Sequence, residues 1–203
     1  MMKKLTKEII QISKIPVGVC VLWNDFGSAL AIAKETGAQF IRVPVFVDNV
    51  KNIFGEVKAN PEAVISARKK LGTENVLIFA DIQVKHAEMT DKDKKLEESA
   101  RQAKEKGADA IIVTGKWTGD APILMDLQKA RKGVGKEFPI IIGSGADSQN
   151  INKLFEIADA AIISTSLKEG ESKSPEQERN LKPCTAKVDS NKVKEFMKIV
   201  KNG

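Results

Sequence analysis

Asp81, Gln83, Lys85 and His86 form the densest group of chemically useful side chains in the sequence. They follow an apolar run, Val76-Leu77-Ile78-Phe79-Ala80, that reads as a core strand. Strands alternate their faces, so Asp81, Gln83 and Lys85 are expected on one side, with His86, the single histidine, directly after. An acid, an amide, an amine and an imidazole so close together are costly in a core and useful in a pocket. Asp81, Lys85 and His86 are therefore candidates for proton transfer. His86 suits a general acid or base. Lys85 suits an anion clamp, a proton donor or an imine-forming amine. The structural alternatives are a snorkelling Lys85, a plain loop His86, and an Asp81 paired with Lys85 or Arg42.

Polar residues also follow the other apolar runs. Asn24-Asp25 follow the first, and Arg42 lies within the second. Thr114, Lys116 and Asp120 follow the fourth, Gly143-Ser144-Gly145 end the fifth, and Thr165-Ser166 end the sixth. In parallel α/β folds such strand ends share one mouth, where ligands bind. Gly143, Ser144, Gly145, Thr165 and Ser166 read as a phosphate cradle, because glycine lets backbone N–H groups approach an anion. A tight turn needing small residues is the alternative, and Asp147 nearby would repel an anion. Lys116, like Lys85, reads as a catalytic candidate, an anion clamp, a proton donor or an imine-forming amine, or else as a surface lysine. Trp23 and Trp117 read as pocket walls or rim packing.

The charge of +6 comes mostly from lysines interleaved with acids, as in residues 91–106, so solvated helix faces are expected rather than nucleic-acid binding. Aromatic residues are only 5%, with no tyrosine, which leaves little for base stacking. No HxH or ExxH spacing favours a metal, and no motif calls for a cofactor. Cys20 reads as core filler, and neither it nor Cys184 suggests a disulfide. No apolar run is long enough to span a membrane, and the lysine-rich start lacks a signal-peptide core, so a cytoplasmic protein is expected.

The elements that must position these groups alternate. The sequence predicts strands over Val17–Trp23, Phe40–Phe46, Val76–Gln83, Ala110–Thr114, Pro139–Gly143 and Ala160–Thr165. Amphipathic stretches lie between and around them: an opening helix through Leu5 and Ile9, one through Ala29, Leu30, Ile32 and Ala33, one capped by Asn60-Pro61, one from about Asp91 to Gly107, one opened by Pro122, and two capped by Asp147 and Asp189. Thr36-Gly37-Ala38-Gln39-Phe40-Ile41 resembles Lys106-Gly107-Ala108-Asp109-Ala110-Ile111, and Ile157-Ala158-Asp159-Ala160-Ala161-Ile162 is a third copy without glycine. Such αβ repeats imply a parallel α/β sheet with right-handed crossovers, in a single domain over 1–203. Residues 169–186 break the pattern and read as a mobile loop before the last helix.

Taken together, these motifs resemble the BtpA/SgcQ family of barrel proteins. The resemblance is carried by Pro16-Val17-Gly18-Val19 through Trp23-Asn24-Asp25, Phe40-Ile41-Arg42-Val43, Ala80-Asp81-Ile82-Gln83-Val84-Lys85-His86-Ala87, Ile112-Val113-Thr114-Gly115-Lys116 through Thr118-Gly119-Asp120, Gly143-Ser144-Gly145 and Thr165-Ser166-Leu167-Lys168. It implies a TIM-type (β/α) barrel, here with six βα units, because the family's opening two units have no counterpart. Ser164 stands where the family usually has glycine. The barrel that the resemblance implies is of the phosphate-binding or aldolase-like kind. Together with the strand-end residues, it leads us to expect a small phosphorylated metabolite, such as a sugar phosphate or a nucleotide-related compound, with lyase, isomerase or aldolase-like chemistry if there is catalysis. The alternative is a non-enzymatic assembly factor of the photosystem I biogenesis kind, or a degenerate barrel acting through oligomerisation. Open edge strands in a six-unit sheet lead us to expect a homodimer or a partner chain that covers them.

Overall fold

The computed structural model describes residues 1–116, 119–170 and 186–202. Most of the expected 169–186 loop, together with Trp117 and Cys184, lies outside the described residues. Six parallel strands form a half-barrel in the order β1 (Gly18–Val19), β2 (Phe40–Val43), β5 (Leu77–Ile82), β7 (Ala110–Val113), β8 (Ile140–Ile142) and β9 (Ala160–Ala161). Each pairs in parallel with the strand that follows it in the sheet, as repeated βα crossovers require.

Alternation along the strands separates two layers. Ile41, Val43, Ile78, Ala80, Ile82, Ile111, Val113, Ile140 and Ile142 pack with helical residues such as Leu30, Val64, Ala103 and Leu127 in the main core. The other face carries a smaller cluster of Ala110, Ile112, Ile141 and Phe79. Phe79 stacks on Phe40 with ring centroids 4.5 Å apart. Gly18 is glycine because a Cβ there would run into the Phe40 ring.

The helices begin and end where short-range chemistry allows. α1 (Met2–Ile12) leaves Leu5, Ile9 and Ile12 exposed. α2 (Phe26–Thr36) starts at Asp25, which accepts the Ser28 N–H, and ends at Gly37 with φ of 83°. α3 (Pro61–Lys70) starts at Asn60, whose Oδ1 accepts the Ala63 N–H at 2.9 Å. α4 spans Leu96–Glu105, α5 Leu124–Val134, α6 Ile151–Leu154 and α7 Ser190–Asn202. The Asp147 carboxylate accepts the Gln149 and Asn150 N–H groups, and that of Asp189 accepts those of Asn191 and Lys192.

The internal repeat has a physical meaning. Its fourth position supplies a side-chain oxygen to the start of the preceding strand unit. Gln39 accepts the Val17 N–H, Asp109 the Ile78 N–H and Asp159 the Ile140 N–H, each at 2.7–2.8 Å. Arg68 and Arg131 neutralise the two carboxylates.

Several boundaries depart from the expectation. The first strand shortens to Gly18–Val19, the second stops at Val43, and the last to Ala160–Ala161, with Thr165–Leu167 a single 3₁₀ turn. α5 begins two residues after Pro122. α4 begins at Leu96 rather than near Asp91, because Lys94 turns inward to a buried carboxylate. That carboxylate is Asp48, with 3% exposure. It pairs with Lys94 Nζ at 2.7 Å and accepts the Ser99 hydroxyl and the Gln83 N–H, each at 2.8 Å.

A small antiparallel sheet, absent from the expected element order, sits beyond the β2 and β5 ends. It has the order β4 (Gly55–Val57), β3 (Val50–Asn52), β6 (Glu88–Met89). Val45, Val50 and Val84 form its own core, with Trp23 and Met89 packed alongside. Asp48 joins this sheet's connections to α4. Replacing Asp48 with alanine leaves a half-buried ammonium, a hydroxyl and an amide without their shared acceptor, and should cost about 3–5 kcal/mol in urea unfolding.

Candidate active site at the strand ends

The carboxyl ends of β5, β7 and β8 open into a cleft of about 1340 Å³. Gln83, Lys85 and His86 come from the β5 exit, Thr114, Lys116 and Asp120 from β7, and Gly145 with Asp147 from β8. The β3–β4 hairpin supplies Lys51, Asn52 and Ile53 as a further wall. The sequence carries only a faint local signal for this hairpin, the short turn Asn52-Ile53-Phe54-Gly55 between Val50 and Val57.

Asp81 and Arg42 lie on the concave face, outside the cleft lining. Asp81 is 1% exposed. Arg42 Nε and Nη2 donate to its carboxylate at 2.9–3.2 Å, a two-pronged pairing. Burial pushes the Asp81 carboxyl up, against the pull of Arg42. Burial draws the Arg42 guanidinium down, and the Asp81 charge more than restores it. Of the two expected partners for Asp81, Arg42 makes the ion pair. Lys85 contributes only a longer-range attraction. Cys20 is half-buried within reach of both charges, and burial pushes its thiol up.

Gly143 lies across the concave face from this pair. A Cβ there would stand 2.5 Å from Ile112 Cγ2, 2.7 Å from Thr114 Cγ2 and 3.5 Å from Arg42 Nη2. Its lack of a side chain makes room for Ile112 and Thr114, with the guanidinium at ordinary contact distance.

The strand alternation expected for Asp81, Gln83 and Lys85 ends at Ile82. Gln83 has φ of 46° and turns away, its side-chain amide donating to the Lys94 carbonyl. Lys85 follows with its N–H donating to Thr114 Oγ1 at 3.2 Å. His86 has φ of 62°, and its N–H donates to the Lys116 carbonyl. These bonds tie the β5 exit to the β7 exit. Burial lowers the Lys85 pKa, assisted by the Arg42 charge, while Asp81 and Asp120 oppose it. Burial and the Lys85 charge lower that of His86, against Asp120.

The candidate cradle is divided. The Ser144 hydroxyl accepts the Gly115 N–H at 3.0 Å and donates to the Asp120 carbonyl at 2.7 Å. Gly145 has φ of 66°, and a Cβ there would collide with Ala121. Both residues lock the β7 and β8 exits together. Ser166 donates to the Ala146 carbonyl at 2.8 Å, while Thr165 opens the 3₁₀ turn. Asn24 is bound through its amide to both backbone groups of Val45, and Asp25 caps α2, so neither lines the cleft. Among the described residues no group of acids, histidines and cysteines has the arrangement of a metal site.

The model of the BtpA family matches residues 1–202. The chain belongs to the BtpA family. It is 41% identical over 154 residues to the Photosystem I biogenesis protein BtpA of Synechocystis, covering 75% of this chain and 53% of that protein. It is 34% identical to an uncharacterized mitochondrial protein of Caenorhabditis elegans, covering 90% of this chain and 61% of that one. The BtpA-family chain thus spans little more than half the length of these relatives. Among solved structures it resembles a thiamine phosphate pyrophosphorylase from Pyrococcus furiosus, with TM-score 0.63, 17% identity, and coverage of 99% and 76%. It also resembles the N-(5'-phosphoribosyl)anthranilate isomerase of that organism, with TM-score 0.59, 20% identity, and coverage of 99% and 81%. At these identities the likeness is one of fold, the barrel architecture.

The buried pair makes a sharp prediction. Asp81→Ala should lower stability by about 3–5 kcal/mol, because it strands a desolvated guanidinium. Asp81→Leu combined with Arg42→Met should recover much of that loss. Urea denaturation of the single and double variants measures both.

Proposed function

We propose that this chain is a cytoplasmic BtpA-family barrel protein that binds, and acts on, a small phosphorylated metabolite at its strand ends. The observation that carries the reading is the joining of Lys85, His86, Lys116 and Asp120 in one cleft. Cations there attract an anionic group, and Lys85 and His86, whose pKa values burial lowers, stand in the cleft wall as the proton-exchanging pair. The buried Arg42–Asp81 pair sets the field beneath them. Of the candidate cradle, Gly145 lines the cleft, and Ser144, Thr165 and Ser166 shape the loops beside it, where backbone N–H groups receive the phosphate, while the Gly143 N–H donates to the Val113 carbonyl. The likeness in fold to proteins whose names denote phosphorylated compounds supports the same class, for instance a sugar phosphate or a nucleotide-related compound.

A second reading is a non-enzymatic assembly factor. The name of the Synechocystis relative favours it. So does the hairpin tip, where Ile53 and Phe54 are 91% and 77% exposed. A panel of sugar phosphates and nucleotides separates the two. Under the first reading, a member at a hundredfold its Kd raises stability by about 2.7 kcal/mol in thermal melts, and Lys85→Ala reduces that gain. A panel with no shift overturns the first reading and favours the second.

The sheet edges call for a partner. Among the described residues β1 and β9 each have one strand neighbour, and Leu5, Ile9 and Ile12 of α1 are exposed. Unpaired edge N–H and C=O groups and apolar side chains favour association. We expect a homodimer, or a complex with a partner chain, in sedimentation. A stable monomer at high concentration overturns this.

A further inference from the structure

Lys85 differs from the other half-buried lysines. Lys94 Nζ has the Val47 carbonyl at 2.8 Å and the Asp48 carboxylate at 2.7 Å. Lys192 Nζ donates to the Lys168 and Gly170 carbonyls. Lys129 has Asp126 at 3.7 Å. Lys85 Nζ has neither a hydrogen bond nor an ion pair among the described residues. An ammonium that burial partly desolvates, with no described group accepting from it, is disfavoured relative to the neutral amine in the same place.

Its neighbours are those of a reactive amine. The Thr114 hydroxyl holds the Lys85 backbone, so the side chain starts from a fixed point in the cleft wall. Arg42 lies close enough for its charge to oppose protonation of the amine, whereas Asp81 and Asp120 favour it. The His86 imidazole is the next residue and senses both the Lys85 and Asp120 charges. Desolvation beside a second cation is the recognised way to activate a lysine.

We infer that Lys85 is a nucleophilic amine that forms an imine with a carbonyl-bearing phosphorylated metabolite, with His86 as its proton donor. The inference rests on the phosphorylated-metabolite reading and names the reacting group. The Lys85 Nζ lone pair attacks the carbonyl carbon, and the C=O π pair moves to oxygen. A proton passes from nitrogen to that oxygen, giving a carbinolamine. The C–O bond then breaks, and the hydroxyl leaves as water with a proton from the His86 imidazolium. The products are a protonated imine on Lys85, one water and neutral His86. No oxidant or reductant is required.

The test uses the full chain with D-glyceraldehyde 3-phosphate and sodium cyanoborohydride, which reduces a protonated imine to a stable secondary amine. Peptide mass spectrometry reads the modified lysine. The expected result is Lys85 as the dominant adduct, several-fold above any exposed lysine. It should be competed by glycerol 3-phosphate, which has no carbonyl, and be absent in Lys85→Arg. His86→Asn, which tolerates the positive φ, should slow trapping several-fold and leave the modified position unchanged. Adducts spread over exposed lysines and insensitive to glycerol 3-phosphate overturn the inference. If glycerol 3-phosphate still raises the melting temperature in that case, the imine falls and the phosphorylated-metabolite reading stands. If it has no effect on melting either, both fall.

Discussion

The Arg42–Asp81 ion pair constrains the concave face of the half-barrel more than any other contact. A carboxylate with 1% exposure has lost its water, and only a well-aligned cation can compensate. The two-pronged guanidinium does so from the neighbouring strand. The β2–β5 register sets Arg42 opposite Phe79, so the side chain reaches forward along β5 to Asp81. Gly143 packs against the same layer, where a Cβ would run into the Ile112 and Thr114 side chains while meeting the guanidinium only at ordinary contact distance. The charge pair and the strand register are thus one packing problem with one solution.

The cleft above depends on that layer. Asp81 ends the regular part of β5, and the left-handed turn at Gln83 redirects the chain outward toward Asp48 and Lys94. Lys85 and His86 are thereby carried over β7, where Thr114 and Lys116 receive their backbone N–H groups. Ser144 and Gly145 clamp the β7 exit from the β8 side. Three successive strand ends become a cross-braced rim with an amine and an imidazole projecting from it. Belonging to the BtpA family accounts for the shared motifs, and the local bonding accounts for why those residue types stand together.

Much of the fold was legible because it rests on short-range rules. The Asn60-Pro61 start, the glycine-ended αβ turns and the runs of β-branched residues each carry their own physical reason within a few positions. The α4 start was not legible, because Lys94 leaves its local pattern for a carboxylate 46 positions earlier. The hairpin over the cleft escaped for a similar reason. Its strands are three residues each, and its apolar side chains find their core only against Val45 and Val84. The candidate site was legible as a set of residues and illegible as an arrangement. Face alternation predicted Gln83 beside Asp81, and a single positive φ removed it.

By itself the sequence determined the α/β architecture, the parallel order of strands and the membership of Asp81, Lys85 and His86 in one strand end. Those follow from periodicity, turn chemistry and the cost of polar groups in an apolar run, all of which are local. Only the tertiary structure decided that Asp81 pairs with Arg42 rather than Lys85, and that Ser144 binds two loops together. It also left the Lys85 amine in the cleft wall without an acceptor among the described residues. Such outcomes depend on which groups compete for the same partner across strands, and that competition is settled by distance and desolvation once the sheet has closed around them.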